Sequence, residues 1–80
     1  MEIIDAGTIT FNNGSGTFAY AKAKTTSRFI AQRALGAPNG YILNAVCQND
    51  GTINVFAFDT VSNVPRTGDL SPILILADNR

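Results

Sequence analysis

Apolar and polar residues alternate along this chain in short runs, and clusters of turn-forming residues separate the runs. The clusters are Asn12-Asn13-Gly14-Ser15-Gly16, Thr25-Thr26-Ser27, Gly36-Ala37-Pro38-Asn39-Gly40, Asn49-Asp50-Gly51 and the long stretch 61–71. Gly, Asn and Asp accept positive φ and Pro presets its own φ, so each cluster breaks a strand for a stated reason. The runs between them are rich in Ile, Val, Phe, Tyr and Thr and have strand length, about five to eight residues. The pattern predicts six strands, at 7–11 (opening as early as Ile3), 16–23, 28–34, 41–48, 52–59 and 72–78. A helix over 27–35 competes for the third, because Phe29, Ile30 and Ala34 with polar residues between them also fit an amphipathic turn. Asn49-Asp50-Gly51 is the strongest hairpin signal, since Asp-Gly favours the tight primed turns. Short strands without a helical segment predict an all-β fold. The expected form is a small antiparallel β-sandwich or jelly-roll-like barrel of about six strands. Residues 1–6 are an N-terminal arm or first strand, and 7–80 are a single β domain.

The facing pattern adds a second expectation. In the second strand Phe18 and Tyr20 share one face, while Ala19, Ala21 and Ala23 share the other. The aromatic face fills a core. The alanine face is smooth enough for another backbone or subunit to come close. In the fifth strand Ile53, Val55 and Ala57 oppose Phe56 and Phe58. In the last, Ile73 and Ile75 oppose Leu74 and Leu76. Strands apolar on both faces need a second buried surface besides the one interior of a small sandwich. A subunit interface supplies it. The alternative is an internal position in an unusually thick monomer.

Composition sharpens this picture. The chain has 80 residues with one Cys, no His and no Trp. So short a chain makes a marginal core that usually needs a staple. One Cys forms no internal disulfide, and one Cys with no His excludes the usual zinc clusters. Oligomerisation is the staple that remains. Charged residues make up 15% of the chain, against roughly 25% in average globular proteins, which suits a protein in a dense assembly. Formal net charge is zero, against general nucleic-acid binding. The bases Lys22, Lys24, Arg28 and Arg33 cluster in the first half, and acids dominate the second, at Asp50, Asp59, Asp69 and Asp78. Strand pairing or intersubunit pairs would join them, and solvated strand ends are the plainer reading. The longest apolar run, residues 73–77, falls far short of the ~20 residues of a membrane span. The N-terminus lacks the features of a signal peptide, so synthesis in the cytoplasm is expected.

Catalytic chemistry is not legible, and no cofactor is expected. The commonest general base is missing. Cys47 falls mid-strand, where a buried, inert thiol is the default. The acids form neither a carboxylate pair nor a calcium loop. Gly14-Ser15-Gly16 lacks the lysine and helix of a phosphate loop and reads as a hairpin turn.

One resemblance goes further. The segments Gly7-Thr8-Ile9-Thr10, Thr25-Thr26-Ser27-Arg28-Phe29-Ile30-Ala31-Gln32-Arg33, Gly40-Tyr41-Ile42-Leu43, Gly51-Thr52-Ile53-Asn54-Val55 and Ser71-Pro72-Ile73-Leu74-Ile75-Leu76 follow one another in a telling order. In this order the chain, over about residues 7–77, resembles a small β-sandwich domain of tailed-bacteriophage virion proteins. The resemblance implies a homotrimer that is structural or adhesive rather than enzymatic. In fibre proteins the module usually ends a long chain. Here it stands by itself, and that departure favours a capsid decoration (cement) protein over a fibre tip.

On that reading the trimer, made in the host cytoplasm, sits on the capsid surface of the virion and bridges copies of the major capsid protein. Ala19, Ala21, Ile73 and Ile75 would form the trimer seam. Ile3 and Ile4 of the N-terminal arm would reach a neighbour or the shell. Lys22, Lys24, Arg28 and Arg33 would face an acidic shell surface. The alternative is a trimeric tip or adaptor that binds a host surface glycan or a tail protein, with Tyr41, Asn39 and Asn63 as sugar contacts. A small inhibitor of host proteins is a third reading, weakened by the neutral charge. Neither nucleic acid nor membrane insertion enters any of these readings.

Overall fold

The computed structural model describes residues 1–33 and 41–78, with the backbone alone at Arg33. The chain is all-β: β1 (Glu2–Phe11), β2 (Ser15–Ala19), β3 (Arg28–Arg33), β4 (Tyr41–Asn49), β5 (Thr52–Asp59), β6 (Val64–Pro65) and β7 (Gly68–Asp78). These make two antiparallel sheets, ordered β1-β7-β3 and β2-β5-β4, with β6 pairing β5. The architecture is a two-sheet sandwich rather than a closed barrel. The expected Gly36–Gly40 turn, the end of the third strand at Ala34 and the sugar contact Asn39 lie outside the described residues.

The core lies between the sheets. Ile9, Phe11, Ile53, Val55, Leu70, Ile73, Ile75 and Ala77 are buried in it. Phe18, Tyr20, Phe29, Tyr41 and Leu43 pack against it, half-buried. Period-two alternation places Ile53, Val55 and Ala57 inward on β5 and Ile73, Ile75 and Ala77 inward on β7. The accessible surface is 4813 Å², close to the ~4,700 Å² expected of a folded chain of this mass. The sandwich therefore closes its own core without a partner.

Four details of the expected layout are decided by the fold, three of them as corrections. First, the second strand ends at Ala19 rather than at residue 23. The chain turns at once, with the Ala23 N–H donating to the Tyr20 carbonyl at 2.9 Å. Ala19 and Ala21 are exposed while Ala23 is fully buried, so no single alanine face exists. Second, the strand expected from residue 28 forms over Arg28–Arg33 and the competing helix does not, because β3 pairs with β7 from Arg28↔Asp78 to Arg33↔Ile73.

Third, the primed turn is at Asn13-Gly14. Both residues take positive φ, 51° and 89°, and the Asn12 and Ser15 backbones bond reciprocally, as a type I′ hairpin requires. At Asp50-Gly51 only Gly51 has positive φ, and a register shift between Val46 and Asn49 bulges the hairpin. The reason is that Gly51 is shared. Its N–H donates to Ala23 O and its carbonyl accepts from the Tyr20 N–H.

Fourth, the last strand starts at Gly68 rather than Pro72, because β1 is long and holds it there through Thr10↔Asp69 and Phe11↔Gly68. Pro72 is tolerated within it because the β1–β7 ladder is irregular at that level, between Gly7 and Ile9. The 61–71 stretch thus contains a short strand, β6, and the start of β7. At the other terminus, residues 2–6 belong to β1.

Candidate functional site: the outer faces of the sandwich

The β1-β7-β3 sheet has an apolar outer face. Register aligns Ile3, Leu76 and Ile30 in one row across all three strands. Ile3 is 71% exposed and Ile30 59%. The next row is Asp5, Leu74 and Gln32, and on the other side Arg28 stands opposite Asp78. A cavity of about 280 Å³, lined by residues that include Met1, Arg28, Ile30, Leu76 and Asp78, opens here.

The β2-β5-β4 sheet also has an apolar outer face, and among the described residues this one carries no charge. Its outward positions are Ser15, Thr17 and Ala19 on β2; Thr52, Asn54, Phe56 and Phe58 on β5; and Ile42, Asn44 and Val46 on β4. Ile42 is 60% exposed and lies opposite Phe58. A shallow groove of about 280 Å³ runs between Ile42, Asn44, Phe56, Phe58, Asn13 and Pro65. Asn54 Oδ1 on this face is buried without a hydrogen-bond partner.

The residues expected to form an interface are dispersed. Ile73 and Ile75 are fully buried and face the core, so they cannot form a seam. The outward positions of that strand belong to Leu74 and Leu76, which alternation alone left equivalent to them. Ile3 is on the outer face, whereas Ile4 packs half-buried against the core. Lys22 and Lys24 belong to the turn region 20–27, where each meets an acid. Lys22 Nζ is 3.4 Å from Glu2 and Lys24 Nζ is 3.9 Å from Asp50. The fold therefore draws acids onto part of the basic stretch. Arg28 is exposed and Arg33 ends β3. The outward residues Ile30, Ile42, Phe56, Phe58, Leu74 and Leu76 were absent from the expected interface. Strand parity was the signal for them, once a register is known.

Two of the expected sugar contacts, Tyr41 and Asn63, have structural surroundings of their own. The Arg66 guanidinium lies 5.6 Å from the Tyr41 ring centroid, and its Nη1 donates to the Tyr41 hydroxyl at 3.3 Å. Asn63 takes φ 61° in the turn after β5. That turn is held by Asp59, whose Oδ1 accepts from the Val61 and Ser62 N–H groups at 2.9 and 3.2 Å. Hydrogen bonds from the Ser62 side chain and backbone, then from Val61, with help from the Arg66 charge, hold the Asp59 carboxyl below its ordinary pKa of 3.8. The Cys47 thiol is buried, 3.1 Å from the Asn49 carbonyl. Among the described residues no three His, Cys, Asp or Glu side chains cluster as metal ligands would.

Comparisons of this chain with protein-family models, with curated proteins and with solved structures give no match.

Proposed function

We propose that this chain is a structural protein of a tailed-bacteriophage virion, a decoration protein that docks as a homotrimer on the capsid surface and stabilises the shell. The observation that carries the reading is the pair of apolar outer faces. The sandwich has already closed its core, yet both broad faces present Ile, Leu or Phe in strand register. Contiguous exposed apolar surface marks an interaction site, and a sandwich with two such faces is suited to being covered on both sides. The resemblance of the sequence to phage virion modules adds the identity of the assembly.

The uncharged β2-β5-β4 face replaces Ile73 and Ile75 as the trimer seam. Residues that lie next to a three-fold axis meet their own copies, and a like charge there repels. Ser15, Thr17, Asn44, Val46, Asn54 and Phe56 bring none. Lys22 and Lys24, at the end of the sandwich, would face the major capsid protein. Three-fold avidity then multiplies contacts that are weak singly.

The test is to mix purified protein with undecorated heads of the matching phage and to count bound copies by sedimentation and image reconstruction. Stoichiometric occupancy of three-fold positions is expected. Absence of binding would overturn the reading. A second reading, a glycan-binding tip or adaptor, is favoured by the groove where Phe56 and Phe58 lie beside the amides of Asn13 and Asn44. Binding to a glycan array, lost in Phe56→Ala, would support it.

A further inference from the structure

We propose that the outer face of the β1-β7-β3 sheet pairs with the same face of a second copy, about a two-fold axis through Leu76 that sets Arg28 of each copy against Asp5 of the other. The register carries the argument. Leu76 is the centre of the patch, with Ile3 on one side and Ile30 on the other. Asp5 lies two residues along β1 from Ile3, beside Leu74. Arg28 lies two residues along β3 from Ile30, beside Asp78. The two run toward opposite ends of Leu76, so they occupy diagonal corners of the patch. Strand spacing and same-face rise put each at about 8 Å from the centre.

A two-fold axis in the plane of contact, through Leu76 and perpendicular to that diagonal, exchanges the two corners. Each guanidinium then meets the partner's carboxylate, twice over, while the Ile3–Leu76–Ile30 rows cross at the middle. An isologous contact must be complementary to itself. Opposite charges placed symmetrically about an apolar centre meet that requirement. Asp78 stands opposite Arg28 in its own sheet, so the docked guanidinium would lie between two carboxylates, which its planar fork suits.

Two further features agree with this occupant. Arg28, Asp5, Ile3 and Ile30 are all exposed, and Asp5, whose Oδ1 accepts from the Gly7 N–H at 3.1 Å, keeps its second carboxylate oxygen for the partner. The molecule measures 35 × 24 × 16 Å and presents a face on the scale of the ~800 Å² per partner that a stable pair buries. Among the described residues the other outer face has no charged pair to fix an orientation. The contact stands apart from the reading above, since it needs neither a shell nor a three-fold axis. If the protein is a trimer, this contact joins one trimer to the next.

The experiment is sedimentation equilibrium from micromolar to millimolar protein at low salt, on the wild type, Arg28→Asp, Asp5→Arg and the double variant. The mass of the wild-type sedimenting unit should at least double with concentration. Each single variant puts like charges together and should weaken the doubling about tenfold or more. The double variant exchanges the corners and should restore it to within a few-fold. Circular dichroism melts of all four establish that they fold. The proposal is overturned if the wild type does not double. It is equally overturned if both single variants double as the wild type does, or if the double variant stays as weak as the singles.

Discussion

Arg66 closes over Tyr41: the guanidinium stands 5.6 Å from the ring centroid and donates to the phenol oxygen at 3.3 Å. A second nitrogen of the same group donates to the Asp69 carbonyl at the start of β7. The Arg66 backbone meanwhile ties two other segments together. Its carbonyl accepts from the Gly14 N–H at 2.7 Å, and its N–H donates to the Ala57 carbonyl at 3.0 Å. One residue thus joins β4, β5, the first hairpin and the last strand. This is a structural use of the tyrosine that the sequence offered as a sugar contact.

Tyr41→Phe should therefore lower stability modestly, by about 0.5–1.5 kcal/mol, the net worth of one hydrogen bond. Arg66→Met should cost more, about 1.5–3 kcal/mol, because it also strips the Asp69 carbonyl of a charged donor. The two losses should not add when both changes are made. Urea unfolding of the four proteins in the cycle measures the coupling, and additive losses would show that the pair does not interact.

At Gly16 the second strand lies tight against the first. A Cβ there would lie 2.7 Å from Ile9 Cγ2 and 2.9 Å from the Thr10 carbonyl oxygen. The backbone oxygen cannot swing away, so Gly16→Ala should overpack the site and cost about 1–3 kcal/mol. Gly51 is the control. Nothing lies within 4 Å of a Cβ there, but its φ is +90°, so Gly51→Ala is opposed by conformation alone, at about 1–2 kcal/mol. Thermal melts should rank both below the wild type, by roughly 4–8 °C for each kcal/mol in a chain of this size. A Gly16→Ala protein as stable as the wild type would mean that the strands separate freely there.

The same positions show what the sequence could and could not convey. Strand identity was legible wherever alternation met strong β-formers, as at Ile53 and Val55. Inside and outside were not legible on β7, because Ile73 and Ile75 are as apolar as Leu74 and Leu76. Only the partner strands decide which pair is buried. The end of β2 was hidden for a different reason. The turn after Ala19 is built from Tyr20, Ala21, Lys22 and Ala23, none of which is a turn-former. It is fixed by bonds to Gly51, which is remote in sequence. The Asn13-Gly14 and Asp50-Gly51 pairs looked alike, and tertiary contacts made only the first a primed turn. The candidate interface suffered most. A row such as Ile3–Leu76–Ile30 joins residues from three strands and exists only once the register is known.

Asp59 links the fold to pH. Hydrogen bonds from Ser62, then Val61, favour its carboxylate and hold its pKa below 3.8 in the folded chain. The unfolded chain therefore binds a proton at higher pH than the folded one. The contribution is complete at neutral pH, well above the unfolded value. It is lost as pH falls below about 4 and through the folded pKa. Ser62→Ala removes the largest of these effects, so the Asp59 pKa should rise toward 3.8. A carboxyl titration followed by NMR reads this directly, and an unchanged Asp59 midpoint would show that Ser62 does not hold the carboxylate.

Ile42→Lys tests the uncharged face as the proposed trimer seam. Ile42 is 60% exposed and borders the groove beside Phe58, so the isolated domain should lose little, within about 0.5 kcal/mol. In a trimer the same change sets three ammonium groups around one axis, where desolvation and mutual repulsion act together. On the proposed trimer, sedimentation should show three protomers associating in the wild type and single protomers in the variant at the same concentration. Its retention on phage heads should fall by more than one contact would explain, because avidity disappears with the trimer. Thr17→Lys, on the strand at the other edge of the same sheet, should behave alike if the whole face is covered. Trimers that persist in both variants would place the seam elsewhere on the sandwich.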